Sequence, residues 1–365
     1  MRYLIAVFIP ILLIGCGSSA EPLPEEKEPT VYFPPTNSDA WETIDIASLG
    51  WDASVVPTLD DFVETTNTRA LLILKSGRIV YEKYDGQTLL QTADFTEDSY
   101  WYWASAAKTL TSFLIGRAES QNLLSLDDPS NLYLGSGWTS LTSEQEGLIT
   151  IRNQLTMTTG LDYTVTNPDC FDSDCLQFLD VPGNRWFYHN GPYTLLGDVI
   201  EGASGSTFNA YFAAQLANKI GMDGFWEYNG YNHAFYSPAR SMARFGLLIL
   251  AEGKWDGTDV LANDSFYREM SNTSQNLNPS YGYLWWLNGK GSFIPPGLTA
   301  SIPGDITPTA PDEMFAAMGK NGQLINIVPS QQLVIIRMGD DPDEGLVPFT
   351  FQDALWDLLG DLITE

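Results

Sequence analysis

Two stretches that read as β-hairpins bracket this chain, and they limit its fold more than any other feature. Ala70-Leu-Leu-Ile-Leu-Lys-Ser-Gly-Arg-Ile-Val-Tyr-Glu-Lys-Tyr84 sets two runs of branched and aromatic residues around a Lys75-Ser76-Gly77 turn. Residues 323–338 repeat the pattern around Pro329-Ser-Gln-Gln332. Between them, residues 105–250 carry apolar residues at helical spacing, with candidate helices at 105–120, 149–158, 192–204, 207–219 and 238–252. Thr150 and Ser237 are candidate N-caps, and Pro238 suits a first helical turn. A closing helix at 351–363 aligns Phe351, Ala354, Leu355, Leu358, Leu359 and Leu362 on one stripe. Strands at both ends with helices between predict an α+β fold. One antiparallel sheet is built from both termini and flanked by terminal helices, and a mainly helical lobe is inserted in it. A cleft between two such lobes is where a ligand would sit. With 365 residues, 44% of them apolar, the chain can supply that core.

The N-terminus reads differently. Arg2 and the apolar run 4–14 end in Leu13-Ile-Gly-Cys16, too short to span a bilayer and patterned as an export signal over residues 1–15. Cys16 sits as a lipidated cysteine would in a bacterial lipobox; an ordinary cleaved signal peptide is the alternative. Residues 16–38, with Glu21-Pro-Leu-Pro-Glu-Glu-Lys-Glu-Pro29, predict a disordered tether, and 39–365 the folded domain. Gly17 follows the cysteine, where an Asp would retain a lipoprotein at the inner membrane. By resemblance to Gram-negative lipoproteins, the expected home is the cell envelope, on the periplasmic face of the outer membrane. In an exported protein, Cys170 and Cys175 are expected to form a disulfide. Free thiols are the alternative, and too few ligands accompany them for zinc. The formal charge of −28 disfavours nucleic acid and anionic membrane surfaces as partners, leaving a lipid anchor as the membrane contact.

Chemistry enters at Ser105-Ala-Ala-Lys108. Positions i and i+3 of a helix share a face. A lysine can take a serine's proton if burial lowers its pKa from about 10.4 toward neutrality. Of the eight lysines, Lys108 alone has a serine three residues earlier. Its helix reads as buried, and a lysine there is costly without a task. Tyr188-His-Asn190 is the one Y-x-N in the chain and offers a proton-shuttling phenol beside a short amide. Lys320-Asn-Gly322 is one of three K-x-G triplets and the one that precedes the second hairpin. There a glycine would let substrate approach the strand, and the N–H of Gln323 could point into the cleft.

Taken in this order, Ser105-x-x-Lys108, Tyr188-x-Asn190 and Lys320-x-Gly322 resemble the motifs of the serine β-lactamase and penicillin-binding-protein superfamily. The class C-like branch, with family VIII esterases and 6-aminohexanoate-dimer hydrolases, is the nearer resemblance. Ile149-Thr-Ile-Arg-Asn-Gln-Leu-Thr-Met-Thr-Thr-Gly-Leu-Asp162, Tyr281-Gly-Tyr-Leu-Trp-Trp286 and Met318-Gly-Lys-Asn-Gly-Gln323 carry it too. The resemblance implies a β-lactamase/transpeptidase-like fold and a serine hydrolase that works through an acyl-enzyme on small esters or amides, without cofactor or metal. Ser105 would be the nucleophile, and Lys108 and Tyr188 would share its proton. The N–H groups of Ser105 and Gln323 would form the oxyanion hole. Asn190 would position substrate or hold Lys108. Lys320 would keep Tyr188 acidic and attract a carboxylate. Tyr163 and the Trp285–Trp286 pair are candidate cleft walls. Relatives that recognise penicillin commonly have Lys-Thr-Gly, so Lys320-Asn-Gly-Gln favours the esterase and amidase side. A D-Ala-D-Ala carboxypeptidase, a β-lactamase and a non-hydrolysing sensor lipoprotein are the alternatives. A Ser-His-Asp hydrolase fits less well: there is no G-x-S-x-G, and His189 and His233, the two histidines, read as structural.

Overall fold

The computed structural model describes residues 31–343, 345 and 347–363. The expected signal segment, Cys16 and the expected tether through residue 30 lie outside them. Both expected hairpins form, as β1 (Thr68–Lys75) with β2 (Arg78–Tyr84), and β8 (Gln323–Val328) with β9 (Leu333–Gly339). With β6 (Trp286–Leu287) and β7 (Phe315–Gly319) they make a six-stranded antiparallel sheet in the order β2-β1-β9-β8-β7-β6. The two ends of the chain meet at its centre, where Leu72 pairs with Ile336 and Ile336 with Ile325.

Alternation along these strands sends side chains to two buried faces. Ile325 and Val334 face helix α3 (Ala239–Leu250) at Gly246, where a Cβ would lie 2.6 Å from Val334 Cγ1. That close approach accounts for a glycine inside a helix. Arg337, offset by one residue from Ile336, faces the other way onto Phe351 of α4 (Phe349–Leu362). Phe351 stacks on Phe62 of α1 (Val56–Thr65), so the terminal helices share that face. Helix α2 (Lys108–Ser120) is buried nearly all round, and this places its first residue, Lys108, away from water.

Several local expectations change. Thr150 caps its helix with a capping box, but Pro238, not Ser237, holds the N-cap of α3. The Ser237 hydroxyl instead accepts from the Trp103 indole at 2.8 Å. The inserted lobe also holds a sheet that the helical pattern did not predict, β3 (Trp101–Tyr102), β5 (Asn232–Ser237) and β4 (Phe225–Asn229), in that order. Residues 31–38, read as the end of the tether, lie on the body. Arg244 is buried between Trp41 and Trp255 and donates to the carbonyls of Pro35 and Ser38 at 2.9 and 3.0 Å. A buried guanidinium needs acceptors, and this segment supplies them. No helix among the described residues is long and apolar enough to cross a membrane.

Candidate active site

Ser105 does not begin the α-helix as expected. It sits in a 3₁₀ turn, Ala104–Ala107, that leads into α2. Ala104, just before it, has φ 47, a strained value for a residue with a Cβ. The end of β7 presses on this turn. A Cβ on Gly319 would lie 2.5 Å from the Trp103 carbonyl oxygen and 3.1 Å from Ser105 N, so a bare backbone is required there.

Lys108 Nζ lies 3.2 Å from Ser105 Oγ. The side chain is 6% exposed, and among the described residues no carboxylate pairs with it. Burial pulls the ammonium down to about 7, while the charge of Asp169 acts the other way. Two tyrosine rings cover the amine, Tyr193 at 4.2 Å and Tyr188 at 5.0 Å, and their faces offer a cation some compensation. A free amine therefore coexists with the ammonium near neutral pH, within reach of a serine hydroxyl.

Tyr188 stacks on Trp286 at 5.8 Å and meets the edge of Tyr281 at 6.1 Å. Burial pushes its phenol well above the ordinary value, and a hydrogen bond with Ser105 opposes this only in part. Tyr188 is therefore a neutral phenol rather than the acidified group expected from the motif.

These side chains share a cleft of about 620 Å³ with Asn190, Asp169, Tyr193, His233 and Lys320. The K-x-G motif is split. Lys320 lines the cleft, but Gly322 and Gln323 do not. Gly322 has φ +71 and lies against Arg337, whose guanidinium donates to the Asn321 and Gly322 carbonyls. Gln323 is fully buried and clasps Gly339, donating from Nε2 to its carbonyl at 2.6 Å and accepting its N–H at 3.1 Å. The motif is the β7–β8 turn rather than the start of a strand. Its contact with the nucleophile comes one residue before Lys320, through Gly319.

Asn190 donates from Nδ2 to Asp169 Oδ1 at 2.7 Å. Cys170 and Cys175 are joined by a disulfide. Tyr163 stacks on Phe187 at 4.0 Å, outside the cleft, and Trp285 is core. His189 points away from the cleft into a small cavity beside Met157 and Leu161, and burial lowers its imidazole to about 4. His233, read as structural, is a cleft wall stacked on Tyr228 at 4.1 Å. Neither imidazole bonds a carboxylate among the described residues. No group of three His, Cys, Asp or Glu among them could hold a metal ion. Sequence reasoning missed Gly319, Tyr193 and Asp169. Tyr193 falls one helical turn after Asn190, so a search along that face would find it. Asp169 gave no signal beyond its acidic neighbours.

Known proteins resemble this chain in sequence and fold. An uncharacterized protein of Alkalihalophilus pseudofirmus is 24% identical over 305 residues, 73% of this chain and 82% of that one. A β-lactamase of Escherichia coli is 24% identical over 164 residues, 43% of this chain and 42% of that one. Two solved structures share the fold. A 6-aminohexanoate-dimer hydrolase candidate from Bacillus anthracis aligns with TM-score 0.64 at 18% identity, over 84% of this chain and 83% of its own. A penicillin-binding protein from Bacillus halodurans aligns with TM-score 0.61 at 17% identity, over 84% and 99%. The β-lactamase family model matches residues 59–344. With a serine and a buried lysine in contact beneath an antiparallel sheet, this chain belongs to the β-lactamase family, within the serine β-lactamase and penicillin-binding-protein superfamily.

Proposed function

We propose that this protein hydrolyses small esters or amides through an acyl-enzyme on Ser105. The contact between Ser105 Oγ and Lys108 Nζ carries this reading, because burial pulls the ammonium down to about 7 and so frees the amine to accept a proton. Lys108 takes the hydroxyl proton as Ser105 Oγ bonds to the substrate carbonyl carbon. Tyr188, a neutral phenol in the same cleft as Ser105, hands a proton to the leaving oxygen or nitrogen as its bond to the acyl carbon breaks. The proton on Lys108 then restores the phenol. Water, deprotonated by the same amine, attacks the acyl carbon; the bond to Ser105 Oγ breaks, the lysine returns its proton to that oxygen, and the acid is freed. The oxyanion donors in this reading are the N–H of Ser105 and the main chain at Lys320, since Gly319 is what lies against Ser105 N. Asn190 and Lys320 position substrate. We also propose that Cys16 is lipidated and tethers the domain in the cell envelope, from the export signal and the Pro/Glu-rich segment after it.

The test follows p-nitrophenol release from a short-chain ester, with a chromogenic cephalosporin in parallel, for the domain and its Ser105→Ala variant. Ester turnover lost in the variant supports the reading. Cephalosporin turnover alone makes the protein a β-lactamase. Silence on both, with no acyl adduct, rejects the hydrolase.

A further inference from the structure

Lys108 carries its charge with few groups to satisfy it. Its one hydrogen-bond partner among the described residues is Ser105 Oγ, at 3.2 Å. An ammonium has three N–H donors, so two remain. No carboxylate pairs with it among the described residues. What does lie against the amine is the ring of Tyr193, its centroid 4.2 Å from Nζ, nearer than Tyr188 at 5.0 Å. An aromatic face is electron-rich, and its pull on a cation grows where water is shut out.

Tyr193 is fixed in that place. It belongs to the short helix Asn190–Thr194 and is 6% exposed. Its hydroxyl shares a hydrogen bond of 3.2 Å with Thr111 Oγ1. Thr111 is buried on α2 three residues after Lys108, and so lies on the same side of that helix. One helix thus carries both the amine and the anchor of the ring over it. The other titratable groups around the amine are Tyr188, Asp169 beside the Cys170–Cys175 bridge, His233 of β5 and Lys320 of the β7–β8 turn, all of which line the same cleft. Among them the charge of Asp169 favours the ammonium.

We propose that the face of Tyr193 is the charge partner of Lys108: it holds the amine on Ser105 and stabilises the ammonium that forms as the serine proton is taken. This rests on the hydrolase reading above and deepens it. Tyr193 is a positioning residue, because it acts through Lys108 and not on the substrate. Its ring does the work, while its hydroxyl is engaged by Thr111.

A weaker ring face makes the amine a weaker base. The acid limb of kcat/KM, which reports the free enzyme, then moves to lower pH, and the plateau falls with it. A packing defect acts on the limb in the opposite sense. It admits water and relieves the burial that holds the ammonium down to about 7.

The experiment measures kcat/KM for p-nitrophenyl pentanoate between about pH 5 and 9, read at the isosbestic wavelength of p-nitrophenol. The reference is Tyr193→Phe, which keeps the ring. Phenylalanines with one, two and three ring fluorines are then placed at position 193. Fluorine draws electron density off the face and changes the shape little. Along the series the acid limb should fall stepwise, by about one pH unit in all, and the plateau by about three- to tenfold. A limb that stays in place or rises along the series overturns the proposal, whatever the plateau does. Near-ultraviolet circular dichroism checks the fold of each variant. If Tyr193→Phe does not fold, fluorotyrosines, which keep the bond to Thr111, run the same series. Pentanoate turnover by the native protein, lost in Ser105→Ala, keeps the hydrolase reading intact if the limb does not move; no native turnover removes both.

Discussion

Replacing Lys108 with Met should make this protein more stable and almost inactive. The burial that readies the amine for catalysis is paid for in stability. Its ammonium falls from 10.5 to about 7, which corresponds to about 5 kcal/mol of preference for the neutral form in the fold. In the unfolded chain the lysine stays protonated up to about pH 10.4. Between pH 7 and 10.4 the unfolded state holds more protons, so stability rises with pH across that window. Below about pH 7 both states are protonated and the full cost applies. Above pH 10.4 it is absent. Lys108→Met fills the same volume without the charge and should gain about 2–5 kcal/mol at pH 7, allowing for lost contacts with Ser105 and the two tyrosine rings. Thermal melts should show a Tm raised by roughly 4–10 °C at pH 7. At pH 10.4 the gain should shrink to within about 1 kcal/mol. Ester turnover should fall by about 10²–10⁴. A variant that melts lower at pH 7, or gains equally at both pH values, would show that Lys108 is not held as a strained base.

Two further outcomes follow from the geometry. Gly319→Ala places a Cβ 2.5 Å from the Trp103 carbonyl oxygen and should displace the β7 end, lowering kcat about 10²-fold through the oxyanion site; unchanged kcat in a folded variant would refute that placement. His189→Ala and His233→Ala should keep kcat within about tenfold, since neither imidazole bonds a carboxylate among the described residues; a fall of about 10³ or more in a folded variant would make that histidine a general base.

The parts of this fold that were legible in the sequence are those whose signal is local. Both hairpins of the large sheet announce themselves because Leu71–Leu74 and Leu333–Ile336 are continuous apolar runs beside turn residues. Ser105 and Lys108 are one helical turn apart, so their meeting needs no tertiary knowledge. Ser237 looked like a cap because it precedes a proline, but a buried indole claimed its hydroxyl. The β4–β5 hairpin, Phe225–Asn229 and Asn232–Ser237, went unread because it is short and buries only Trp226, Phe235 and Ser237, leaving most of its aromatic residues outside the core. The third motif misled for a similar reason. Lys320-Asn-Gly-Gln implies that the N–H of its last residue points into the cleft, but Gln323 does not line the cleft, its side chain is held by Gly339, and Gly319 is what meets the nucleophile. Asp169 and Asn190 are 21 positions apart, and only the fold joins them.

The account rests on a covalent bond to Ser105, and intact-protein mass spectrometry tests it most directly. The protein would be mixed with p-nitrophenyl pentanoate and quenched in acid within the first turnovers, beside its Ser105→Ala variant. The account predicts a pentanoyl adduct on the native chain, mapped by peptide digestion to the segment holding Ser105, and none on the variant. Turnover without an adduct, or an adduct that persists in Ser105→Ala, would contradict it.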